Sequence, residues 1–130
     1  GIFAEVYSRV LNCRVSANSG HGIEVNTDCF VSGNYCAANT TITVGGANIR
    51  VPGPPNRIED NHCVYAHRGI SVSGPGNMIL RNTCTNNGVN WEVAAGNACL
   101  VVSAAPSGAI LGDSGGVSLG SNNPTANYTY

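Results

Sequence analysis

Charge is scarce in this chain. Asp, Glu, Lys and Arg make up 10% of 130 residues, the net charge is −1, and all six basic residues are arginine. Without a basic cluster there is no electrostatic footprint for a phosphate backbone, so nucleic acid is not an expected partner. No run of about 18 apolar residues occurs, which argues against membrane insertion. The first residues, GIFAEVYSRV, carry an acid and lack the basic-then-apolar order of a leader. On that reading the chain is either cytosolic or a mature, processed or excerpted form. Helix formers are sparse and no segment keeps a 3.6-residue period. The six cysteines show no CxxC spacing, which removes zinc-ribbon and thioredoxin-like readings.

What the chain has instead is short runs rich in Val and Ile, punctuated by Gly, Asn, Ser and Thr, and this predicts an all-β protein. Its length suits one domain. The runs repeat. IRVPGPPNRIEDNHCVYAHRG (49–69) is followed directly by ISVSGPGNMILRNTCTNNGVN (70–90), with Ile49, Val51, Gly53, Pro54, Asn56, Ile58, Asn61 and Cys63 recurring 21 residues later. The same offset carries Ile2 to Ile23, Ala4 to Val25, Val10 to Val31, Val15 to Cys36 and Asn18 to Asn39. From Ile23 to Ile49 it grows to 26, and from Val31 to Ile58 and Cys36 to Cys63 to 27. The excess falls in Thr40–Asn48, which reads as a loop. Forward, Ile70 maps to Trp91 and Val72 to Val93.

A fixed period near twenty is a solenoid signature. Each unit has an I-x-V strand, a turn, a second apolar position (Val10, Val31, Ile58, Ile79), a polar corner and a third (Val15, Cys36, Cys63, Cys84). Three short strands and three corners per 21 residues make a parallel β-helix, here of about five coils over 1–102. Alternation along each strand turns these side chains inward. One coil cannot bury its apolar face alone, so only stacked neighbours are stable. Asn34, Asn61 and Asn82 fall in a further column and read as a structural amide ladder at a corner. Residues 103–130 are Gly-, Ser- and Asn-rich and read as an irregular C-terminal tail. Its apolar positions Ile110, Leu111, Val117, Leu119, Tyr128 and Tyr130 are the candidates for docking on the last coil or on a neighbour.

The I-x-x-N-x-C corners, the run RGISVSGPGNMILRN, and the segments NWEVAAGN and NPTANYTY resemble the C-terminal portion of bacterial right-handed parallel β-helix repeat proteins. These belong to the pectate-lyase-like superfamily. The resemblance covers nearly the whole chain. It implies right-handed winding and an extracellular or cell-surface setting, and its activities span lyases, hydrolases, tailspikes and adhesins.

In sugar-cleaving members of that superfamily the cleft follows the outward face of the first strands. Here that face carries Phe3, Glu24, Arg50, Ser71 and Glu92, with no Asp. Calcium-assisted elimination needs an acid cluster and hydrolysis needs paired carboxylates. Glu24 and Glu92 stand three coils apart, roughly 14 Å at the strand spacing, too far to act as a pair. Glu24, Arg50 and Glu92 therefore form at most a ligand face for a polysaccharide, with Glu24–Arg50 and Asp60–Arg81 as cross-coil ion pairs. Cys63 turns inward and His62 outward, so they do not share a metal; no metal or other cofactor is expected. His21 reads as a solvated turn residue. Cys36, Cys63 and Cys84 share a column, as buried thiols or with one disulfide. Cys13, Cys29 and Cys99 are assigned to unrelated corners.

With chemistry discounted, geometry is left. An uncapped β-helix end exposes strand edges, and such edges pair. The assembly ends are expected at Ile2, Ala4, Val10 and Val15, and at Trp91 and Val93. A head-to-tail contact that does not close gives a fibre. The reading is a non-enzymatic structural subunit that partners with itself; the alternatives are a carbohydrate-binding or polysaccharide-degrading module, or the C-terminal fragment of an adhesin or tailspike.

Overall fold

The computed structural model describes residues 1–39, 45–103, 109–112 and 123–130. Strands are numbered β1 to β17 along the chain. One sheet holds, in spatial order, β1 (Ile2–Val6), β4 (Ile23–Thr27), β7 (Ala47–Val51), β10 (Arg68–Val72), β13 (Val89–Val93) and β16 (Ala109–Gly112). A second holds β2 (Arg9–Leu11), β5 (Phe30–Ser32), β8 (Arg57–Glu59), β11 (Met78–Leu80) and β14 (Ala98–Cys99). The third runs β3 (Arg14–Ser16), β6 (Tyr35–Ala37), β9 (His62–Val64), β12 (Thr83–Thr85), β17 (Asn127–Thr129) and β15 (Val101–Ser103). All pairings are parallel. The described chain is an all-β stack of three parallel sheets, consistent with a β-helix-like solenoid. We call each run of one strand per sheet, such as β1–β2–β3, a level.

The inward columns follow the repeat. Ile2, Ile23, Ile49, Ile70 and Trp91 are mutual register partners along the first sheet. Val10, Val31, Ile58, Ile79 and Cys99 line the second. Val15, Cys36, Cys63, Cys84 and Thr129 line the third. Trp91, Ile23, Ile49, Ile58, Ile70 and Ile79 have no solvent exposure. β-branched side chains suit this pleated, two-sided packing. Burial of each removes roughly 1.5–3 kcal/mol of unfavourable apolar hydration.

Three expectations change. Cys99 belongs to the second-sheet column opposite Ile79, not to an unrelated corner. Ala47 and Asn48 belong to β7 and are fully buried, so the expected loop ends sooner; residues 40–44 lie outside the described set. Trp91 and Val93 are not an exposed end either. Strand β16 pairs along β13, opposing Ile110 to Trp91 and Leu111 to Glu92, and the Trp91 and Val93 side chains are buried.

Candidate functional site

The first-sheet face places the expected ligand residues in one outward column. Phe3 opposes Glu24, Glu24 opposes Arg50, Arg50 opposes Ser71, and Ser71 opposes Glu92. Their charges are engaged with one another. Arg50 Nη1 lies 2.9 Å from Glu24 Oε1. Arg68 Nε sits 2.7 Å from Glu92 Oε2, an ion pair that is off the line of an N–H···O hydrogen bond. Ser71 donates its hydroxyl to the same Glu92 oxygen at 2.8 Å. Beside them, His21 departs from expectation. Its Nδ1 accepts the Ala47 N–H at 3.0 Å, which fixes the corner into β7. Burial lowers the His21 pKa, opposed by Glu24 and reinforced by Arg50 and Arg68. The neutral ring that serves as acceptor is thus the favoured form.

The other two faces are also internally paired. Arg81 grips Asp60 with two bonds of 2.8 Å, which holds the Asp60 carboxyl below its ordinary range. Glu59 joins them, 2.6 Å from Arg57 and 3.2 Å from Arg81. On the third sheet Arg14 covers the Tyr35 ring, Tyr35 stacks on His62 with centroids 5.5 Å apart, and His62 Nδ1 meets Thr83 Oγ1 at 2.7 Å. A shallow groove of about 420 Å³ lies between the first corner and the second sheet, lined by Asp28, Phe30, Pro55, Arg57, Gly76 and Met78. It sits away from the first-sheet face. Among the described residues, no three His, Cys, Asp or Glu side chains converge as a metal-ligand set.

The corners are the most repetitive part of the molecule. A residue in left-handed conformation (φ 52° to 84°) precedes a recurrent polar position. These residues are Tyr7, Asp28, Gly76 and Gly96 at the first corner, and Asn12, Gly33, Asp60 and Arg81 at the second. Ala17, Ala38, Tyr65 and Asn86 hold the third. At the second corner the position after the turn is Asn34, Asn61 and Asn82. Each accepts the backbone N–H of the preceding level through Oδ1, so Cys13 N reaches Asn34, Asn34 N reaches Asn61 and Asn61 N reaches Asn82, at 2.9–3.0 Å. The Nδ2 atoms donate to Val10, Val31 and Ile58 carbonyls. The amides also link to one another, Asn34 to Asn61 and Asn61 to Asn82 at 2.9 Å. Buried turn groups that a sheet cannot satisfy are satisfied this way.

Two further ladders escaped the sequence reading. At the first corner Asn56, Asn77 and Asn97 connect at 3.0 Å, and Cys29 N donates to Asn56. At the third corner Asn39 bonds Asn18, Asn48 and the Val15 carbonyl. There the next position is Ala66, which has no amide, and Asn48 fills in. It reaches Asn87, which bonds Asn90 at 2.9 Å, and Asn90 bonds Thr129. Gly22 and Gly69 alternate with Asn48 and Asn90 in that column. A Cβ on Gly22 would stand 2.6 Å from Asn39 Nδ2, so the space belongs to the neighbouring amide.

The cysteines are structural by position. Cys36, Cys63 and Cys84 are fully buried and in register, and no disulfide joins them. Cys36 is raised mainly by its hydrogen bond with Cys63, and Cys63 chiefly by burial, so both stay thiols. Cys13 and Cys29 occupy ladder positions in levels without an Asn there. Their thiols turn back to the Leu11 and Thr27 carbonyls at 3.3 and 3.2 Å.

At the first level Ile2 and Ala4 are half-buried, while Val10 and Val15 are already buried. The terminal strand docks on its own chain, and not through its aromatic rings. Asn127 and Thr129 are buried, Tyr128 points outward opposite Thr83, and Tyr130 is exposed. The side chains of Ile110 and Leu111, and Val117 and Leu119 altogether, lie outside the described residues. No protein-family model matches the chain, and no solved structure matches it.

Proposed function

We propose that this chain is a non-enzymatic structural β-solenoid: a right-handed β-helix of about five coils related to the pectate-lyase-like superfamily. It stacks end to end with copies of itself into an extracellular or cell-surface filament, in a bacterial setting. The observation that carries this reading is where the repeated residues go. The inward columns and corner amides are committed to holding one level on the next. On the expected ligand face Glu24 is paired with Arg50, and Glu92 with Arg68 and Ser71. These pairings supply cross-level contacts, which supports a packing role for the face. Meanwhile, among the described residues, β1, β2 and β3 each offer one unpaired edge, with half-buried Ile2 and Ala4 beside it.

A carbohydrate-binding module is the second reading, and the Asp28–Phe30–Arg57–Met78 groove favours it. Sedimentation and electron microscopy of the chain beside an Ile2→Arg, Ala4→Lys variant separate the two. Stacking predicts rods that the variant loses. A wild-type chain that stays monomeric at all concentrations sinks it, and glycan-array binding lost on Phe30→Ala would install the alternative.

A further inference from the structure

The order of the third sheet is unusual. Strand β15 follows β14 in the chain, yet it does not lie on β12; β17 lies between them and pairs with both. The corner chemistry explains this. In each of the first four levels, two residues separate the second strand from the third: Asn12–Cys13, Gly33–Asn34, Asp60–Asn61 and Arg81–Asn82. In the fifth, only Leu100 separates β14 from β15. The left-handed residue and the amide are both gone, and Val101 stands where the ladder requires Asn. The strand next in sequence cannot receive the Asn82 N–H.

The C-terminal strand can. Asn127–Tyr128–Thr129 aligns on the level of Asn82–Thr83–Cys84. Asn127 Oδ1 accepts the Asn82 backbone N–H at 3.0 Å and the Asn82 Nδ2 at 2.9 Å, and Asn127 Nδ2 donates to the Ile79 carbonyl at 2.7 Å. Thr129 Oγ1 receives Asn90 Nδ2, and Thr85 donates its hydroxyl to the Tyr130 carbonyl. The Asn127 N–H closes the other side on Leu100 O at 2.8 Å. The place between β12 and β15 therefore reads an Asn-x-Thr strand by its corner amide and its inward hydroxyl.

We infer that this place is a receptor for the terminal strand, and that copies of this chain exchange that strand, each β17 filling the position between β12 and β15 of a second copy. Residues 113–126, DSGGVSLGSNNPTA, separate β16 from β17. No short corner selects the donor, and every bond that the strand makes is the same whichever copy supplies it. Strand addition by backbone pairing, and exchange of an identical element, are low-cost routes to association. The surface differs from the β1–β3 edge, so end-to-end stacking and strand exchange stand or fall separately.

The test uses full-length chains. An Asn127→Ala chain keeps the receptor and weakens its own donor, and it is titrated with a fluorescent peptide of residues 123–130. Saturable binding is expected, reduced at least tenfold when Asn82→Ala is added to the same chain. Mixed with an Asn82→Ala chain, which keeps an intact donor, Asn127→Ala is expected to give a heterodimer that neither forms alone. Absence of peptide binding, equal binding with Asn82→Ala, or peptide binding without a mixed dimer would each overturn the proposal. Should Asn127→Ala lose its strand circular dichroism, Thr129→Val takes its place, keeping the ladder and losing the Asn90 bond, and the same outcomes are read.

Discussion

The middle of the solenoid and its first level are built on one plan with different corner residues. Where the middle has Asn56, Asn77, Asn61 and Asn82, the first level has Ser8 and Cys13. The Ser8 hydroxyl and the Cys13 thiol bond carbonyls two residues back in their own strands, Val6 and Leu11. They satisfy a local acceptor and tie nothing to the level beyond. The Asn61 side chain at the same place makes four bonds, accepting from the Asn34 N–H and Nδ2 and donating to the Val31 carbonyl and to Asn82 Oδ1. The amide thus adds to the cohesion that strand pairing and the apolar columns supply between levels, and it recurs toward the middle and the C-terminal end.

Apolar truncation breaks the comparison hardest. Ile49→Ala, at a side chain with no solvent exposure, is expected to cost about 2–5 kcal/mol, from lost burial and the cavity left behind. Ile2→Ala, one partner deep and half-buried, should cost well under half of that. Urea unfolding of the two variants reads the difference directly. Next comes the amide itself. Asn61→Ala strips the Asn34 N–H and the Val31 carbonyl of their partners in a buried corner, at roughly 2–4 kcal/mol for two unsatisfied groups. Cys13→Ala should fall below about 1 kcal/mol, since only a weak thiol bond is lost. Equal costs at the two positions would erase the distinction.

The pattern was readable in the sequence where copies are identical and evenly spaced. The repeated inward columns and the Asn34–Asn61–Asn82 ladder lie at the 21-, 26- or 27-residue offsets and came through intact. What stayed hidden depends on a residue standing in for one out of place. Asn48 serves the ladder position that Ala66 leaves empty, nine residues from Asn39 in sequence. Asn127 continues a ladder 45 residues after Asn82, because Leu100 replaces a two-residue corner. His21 looked like a solvated turn residue, and only the fold brings the Ala47 N–H to its ring. The charged face was legible as ion pairs, but among the described tail residues the buried ones are Ala126, Asn127 and Thr129, not the aromatic ones.

A smaller effect sharpens the contrast by pH. Burial holds the His21 pKa in the fold below the ordinary range of an imidazole, so the unfolded chain binds its proton first as pH falls. The stabilisation from the neutral ring is present above about 6.5 and declines as pH drops through the window beneath it. Asp60 is likewise depressed and adds a second loss below about pH 4, modest because the pair is exposed and screened. Melting temperature against pH should show the upper step in wild type and lose it in His21→Gln. The smallest expected change is a gain. Ala38 holds φ 53° without a glycine's freedom, and Ala38→Gly should add up to about 1 kcal/mol to unfolding stability by thermal melt.

Amide hydrogen exchange at the second corner tests most directly the claim that the amide ladder helps to join level to level. The backbone N–H groups of Asn34, Asn61 and Asn82, each aimed at the next amide oxygen, should exchange only through global unfolding. Asn127→Ala should release Asn82 before the others. Exchange of all three at the rate of exposed turns, or an Asn82 unchanged by Asn127→Ala, would contradict the account.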